Sequence, residues 1–124
     1  MTLVVWRDSV AAGDDADAPH EWTVPGKRDT PIGAIVETLM RARYLASVAG
    51  GRATWIVEGV RPLAVVAQQW TTARWLVPPE TVVATVARPE RPPDLQLRYW
   101  CQVDPDRVFE CLRSGAPLPD RYGR

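Results

Sequence analysis

Apolar side chains return at Ile32, Ile35, Val36 and Leu39, with Met40 on the flank, the spacing that lines one face of a helix. Thr30 stands where an N-cap hydroxyl can accept from a free first-turn amide. Pro31 suits the first helical position, because its φ is fixed and its missing N–H is not needed there. Gly50 and Gly51 close the segment. Counting past Leu39 brings Arg43 onto the apolar face while Tyr44, Leu45 and Val48 turn away from it. Either the regular helix ends near Arg43, giving a helix over 31–43 and a packed loop up to Gly50, or Arg43 is a buried, partnered charge. The first is favoured, since an unpaired buried guanidinium costs several kcal/mol.

On both sides of this helix the pattern is that of strands. Residues 3–6 (LVVW) and 20–24 (HEWTV) are short β-branched and aromatic runs joined by the turn-forming stretch 11–19, and they predict a hairpin with a long loop. After the glycines, residues 53–57 (ATWIV), 63–68 (LAVVAQ) and 74–77 (RWLV) predict an antiparallel meander with short connections. LAVVA is continuously apolar, as expected of a strand covered on both faces or central in its sheet. Residues 81–87 (TVVATVA) read as a further strand, with a short helix as the alternative. Residues 88–93 are too proline-rich for regular structure. In residues 95–102, Leu95, Leu97, Tyr99 and Cys101 alternate with Gln96, Arg98, Trp100 and Gln102, a strand with one apolar side. Asp104 and Pro105 then open a last helix over about 105–113, with Val108, Phe109 and Leu112 on its buried side and Gly115 as its stop.

The expected fold class is therefore α+β, with an antiparallel or mixed sheet, in one domain over 1–124. The order of elements through residue 77 (strand, strand, helix, strands) resembles the β-grasp, or ubiquitin-like, arrangement, in which a hairpin and a helix pack across a mixed sheet. Residues 78–124 add a strand, a C-terminal helix and a tail. The resemblance is one of element order and carries no motif. The final Tyr122-Gly123-Arg124 differs from the Gly-Gly tail of conjugating members, so a modifier role is not expected.

Charge changes this picture only locally. The chain has 15 basic and 15 acidic residues, so neither nucleic acid nor a membrane surface is an expected partner. From residue 1 to 22, however, five acids (Asp8, Asp14, Asp15, Asp17 and Glu21) face Arg7 alone, and from 41 to 75 five arginines face Glu58 alone. Neither a secretory signal nor a membrane-spanning run is expected, and a cytoplasmic location is expected, with Cys101 and Cys111 as free thiols.

The acidic loop invites a metal reading, which its spacing does not support. Counting a calcium loop from Asp15 puts Pro19 fifth and His20 sixth, where a glycine is required. One histidine and two cysteines ten residues apart do not make a zinc set. No metal or other cofactor is expected. Catalytic motifs are equally lacking, and no catalytic residue is assigned; Asp8, His20, Glu21 and Arg43 are the ones to test, Asp8 and Glu21 as a carboxylate pair across the hairpin. Six tryptophans beside a single Phe are unusual. Trp6, Trp22 and Trp55 lie in strand cores and are expected to be packed, whereas Trp70, Trp75 and Trp100 are the candidates for a surface.

The expectation is a small protein-binding domain, with an immunity- or antitoxin-like inhibitor as its concrete form by analogy of type. Asp14, Asp15, Asp17 and Glu21 would meet a basic surface on a partner protein, supported by Trp70, Trp75 and Trp100. The bland reading of the acids is a solvated turn. The alternatives are a small enzyme with a carboxylate-based site and a self-associating structural domain, a homo-oligomer being compatible with the sequence.

Overall fold

The computed structural model describes residues 2–8, 21–42, 51–88 and 93–121. It is an α+β fold in which nine elements follow one another as β1 (Thr2–Arg7), β2 (Glu21–Pro25), α1 (Ile32–Arg41), β3 (Thr54–Glu58), β4 (Pro62–Ala67), β5 (Arg74–Trp75), α2 (Val83–Val86), β6 (Leu95–Tyr99) and α3 (Pro105–Ser114). The strands form one six-stranded sheet in the order β2-β1-β6-β3-β4-β5. β1 and β6 run parallel, and every other neighbouring pair is antiparallel. A hairpin and a helix on a mixed sheet are compatible with the β-grasp order. The strand expected in a C-terminal addition lies between β1 and β3, so residues before 78 do not build the sheet by themselves.

The alternation in the sequence explains the two layers. Leu3, Val5, Val24, Trp55, Val57, Leu95 and Leu97 point to one side and form a single buried cluster with Ile32, Ile35, Val36 and Leu39 of α1 and Val83 and Val86 of α2. Each of those four α1 side chains is buried, which is worth about 1.5–3 kcal/mol apiece as an upper figure. On the other side Ile56 and Val65 meet Trp100, Val108 and Phe109, so α3 covers β4. That is why residues 63–67 carry no polar side chain: β4 is covered on both faces and all five are buried.

Two expectations about helix ends and strands are corrected. Thr30 does not cap α1. Its Oγ1 accepts from the Lys27 amide at 2.8 Å, closing the preceding turn, and the N-cap position is Pro31. The first amides of α1 are satisfied instead by a distant segment, Ile32 N–H donating to the Thr81 carbonyl and Gly33 N–H to that of Pro79, both at 2.8 Å. The same docking explains why residues 81–87 do not form a strand. Val82 makes one bridge to Pro31, Val83 N–H donates to the Thr30 carbonyl, and the chain then turns into the short α2. By contrast α3 has the ends read from the sequence: the Asp104 carboxylate accepts from the Asp106 amide, Pro105 opens the helix, and Gly115 ends it at φ 75°.

α1 ends at Arg41 with Ala42 as its C-cap. Arg43 lies outside the described residues, as do Asp14, Asp15, Asp17 and His20.

Candidate functional site

The strand register decides which side chains share the outer face of the sheet. Trp6 of β1 stands beside Glu21 of β2 and Gln96 of β6, and Val4 beside Thr23. Arg98 of β6 stands beside Ile56, and Gln96 beside Glu58. The β3–β4 half of this face is closed by α3. Over the β2–β1–β6 half no described element packs: Trp6, Glu21 and Thr23 are exposed, and Val4, Gln96 and Arg98 are partly so. All six tryptophans lie within the described residues, and Trp6, at 45% exposed, is the one left most open.

This placement overturns the expectation that Trp6 is packed. Residues 3–6 read as one apolar run, but Leu3 and Val5 are the inward pair and Trp6 falls outward with Val4. That parity is the signal in the sequence that could have found it.

Trp6 stands at the edge of a well-paired polar frame. Asp8 accepts from the Gln96 side-chain amide at 3.2 Å and from the Tyr99 backbone amide at 3.0 Å. Glu58 accepts from Arg98 Nη1 at 3.0 Å and from Arg88 Nη2 at 3.3 Å. The Arg98 guanidinium also sits 5.2 Å from the centre of the Trp100 ring. Arg7, at the end of β1, is buried and donates through Nη1 to the Asp8 carbonyl. Glu58 and its two arginines thus hold one another in place, while Asp8 and Arg7 are held by Gln96 and by backbone groups. Asp8 turns toward β6 while Glu21 lies on β2, across β1, so the two carboxylates expected to pair are not brought together.

The remaining expected site residues are dispersed. Trp100 is buried, its indole N–H donating to the Pro119 carbonyl at 2.9 Å and the Arg121 guanidinium lying 4.4 Å from its ring centre. It anchors the tail to the sheet and presents no binding face. Trp70 is half-buried against the second core, with the Arg74 guanidinium between it and Phe109, 5.8 and 4.3 Å from the two ring centres. Arg74 is also paired with Asp106. Trp75 is half-buried and lines a groove of about 330 Å³ with Val36 and Met40 of α1 and with Thr71 and Thr72. Trp70 and Trp75 therefore do not join Trp6 and Glu21 in one patch.

Burial pushes the Cys101 thiol up, with Arg121 opposing the effect and Asp120 adding to it. Among the described residues no group of three or more His, Cys, Asp or Glu stands together to hold a metal ion, and no helix is long and apolar enough to cross a membrane. Comparison with protein-family models, with curated proteins and with solved structures finds no match for this chain.

Proposed function

We propose that this protein acts by binding another protein through the open half of its sheet, with Trp6 as the anchor. The observation that carries this reading is a tryptophan left 45% exposed on a sheet face whose other half is covered. Trp is the side chain that most often dominates a protein interface, since a large rigid ring gives contact area at small entropic cost. If a partner covered the rest of its roughly 250 Å², about 110 Å² more would leave water, an upper figure of about 2–3 kcal/mol. Glu21 lies beside the ring and contributes negative charge, and the acidic stretch with Asp14, Asp15 and Asp17 joins β1 to β2 at this end of the hairpin. A basic partner surface matches that chemistry, and a neutralising inhibitor would use it to occupy a cationic cleft in its target.

The test is affinity capture from the native host, with the wild-type chain and Trp6→Arg as baits. Arg keeps an apolar stem over the strand neighbours, so the fold should melt within about 1 kcal/mol of wild type. The expected result is a protein retained by the wild type and lost with Trp6→Arg, bound roughly 30- to 150-fold more weakly when titrated. Equal capture by both baits would sink the proposal. A dimer that dissociates on Trp6→Arg would make the partner a second copy of the chain.

A further inference from the structure

Away from the open face, a cleft of about 330 Å³ lies between the β3–β4 turn, the segment after β5 and the last turn of α3. Its lining joins the apolar Pro62, Leu76, Val77, Pro78 and Leu112 to two charged residues, Arg61 and Arg113, both guanidinium. We infer that this cleft binds a small monocarboxylic acid, its apolar body against the apolar side chains and its carboxylate between Arg61 and Arg113. The volume is at the low end of small-molecule sites, which combine an apolar lining with a few placed polar groups. No acid lines the cleft among the described residues, although the chain as a whole carries as many acids as bases.

Both arginines have donors to give. Arg61 is exposed, and among the described residues its guanidinium makes no hydrogen bond or ion pair. Arg113 is held by Glu110 of its own helix, which takes Nε at 3.1 Å and Nη2, so both hydrogens of Nη1 remain available. Glu110 thereby fixes the fork. A carboxylate on an apolar body answers both kinds of lining residue, because planar guanidinium recognises carboxylate by paired N–H donors. The C-terminal end of α3 and the Glu110 carboxylate both oppose an anion at Arg113, so Arg61, which has no acid partner among the described residues, carries the unpaired positive charge of the cleft.

The experiment is a titration of the isotope-labelled full chain at constant ionic strength with phenylacetate, its neutral isostere phenylacetamide, and inorganic phosphate, followed by amide chemical shifts. Phenylacetate should shift Arg61, Leu76, Val77 and Arg113 saturably. Phenylacetamide should bind about tenfold or more weakly, and phosphate should not saturate the same signals. Arg61→Gln and Arg113→Gln should each weaken phenylacetate severalfold while melting with the wild type. Any of three results overturns the inference: no saturable shift at tens of millimolar phenylacetate, equal binding of acid and amide, or arginine variants that bind as the wild type does.

Discussion

Gly59, in the turn between β3 and β4, meets the end of α2 so closely that a side chain has no room. A Cβ built there would stand 1.9 Å from the Val86 carbonyl oxygen, 3.0 Å from its carbon and 3.3 Å from Leu63 Cδ1. A carbon and an oxygen that are not bonded settle near 3.3–3.6 Å, so Gly59→Ala must move the turn and α2 apart by about 1.5 Å. Backbone, not a flexible side-chain tip, has to yield. The movement breaks the Val60 N–H to Val86 carbonyl hydrogen bond at 2.9 Å and loosens Arg88, which reaches the Gly59 carbonyl and Glu58 from the same side. Overpacking costs about 1–3 kcal/mol and the lost hydrogen bond about 1 kcal/mol. The sum is about 2–4 kcal/mol, or roughly 10 °C in Tm for a domain of this size. Gly115→Ala is the control: it has a positive φ of 75° but nothing within 4 Å, and should cost only about 1–2 kcal/mol. Chemical denaturation of the three proteins measures the difference. A Gly59→Ala variant within about 0.5 kcal/mol of wild type would refute the contact between the turn and α2.

Asp8→Ala should lower stability by about 2–3 kcal/mol, because it leaves the Tyr99 amide without its carboxylate acceptor, and Asp8→Asn should recover part of that in the same denaturation series. Burial, with a smaller contribution from Cys101, raises the Tyr99 phenol above its ordinary value. The folded state therefore holds that proton more tightly, and the associated stability is complete below about pH 10 and lost as pH climbs through the folded value. Unfolding midpoints measured across that range should fall less steeply for Tyr99→Phe than for wild type. Cys101 and Cys111 are free and half-buried, so both should label in denaturant without a reductant, Cys101 slowly in the native state; a chain needing reduction first would contradict this.

Elements whose evidence is local were legible, and those fixed by distant contacts were not. The period of Ile32, Ile35, Val36 and Leu39 located α1, and Asp104, Pro105 and Gly115 delimited α3, because caps and faces act within a few residues. The unbroken apolar run of β4 likewise announced a strand covered on both faces or central in its sheet, and β4 is both. Nothing local says that residues 95–99 pair with β1, about ninety positions earlier, or that they run parallel to it. Thr30 shows the same limit: its cap signature is sound, yet the α1 amides are taken by the carbonyls of Pro79 and Thr81. Residues 83–86 are β-branched enough to read as a strand, and tertiary docking overrides that preference. For the candidate site the misses are Trp6, hidden in an apolar run, and Trp100, which follows β6 directly and turns into the second core.

The open half of the sheet does not need a covering layer, because its central pairing is held from the ends. β1 and β6 meet over only three register pairs, Val5 with Leu95, Trp6 with Gln96 and Arg7 with Leu97. Asp94 stands just before β6 and receives the Val4 amide on its carboxylate at 2.7 Å, while its own amide donates to the Val4 carbonyl at 2.8 Å. Asp8 stands just after β1 and does the converse, its amide donating to the Leu97 carbonyl and its carboxylate holding Gln96 and the Tyr99 amide. A parallel pair is joined by slanted and somewhat weaker bonds than an antiparallel one, and here each end is extended by a carboxylate whose charge-assisted bonds are about twice as strong as neutral ones. The inner side of the same strands is sealed by Leu3, Val5, Leu95 and Leu97 against the first core. The outer side of these strands is therefore less tied to the core than the inner side. Trp6 sits between the two aspartate clamps, on the stretch of sheet whose stability comes from its ends and its inner face, and a charged side chain can replace it there without opening the core.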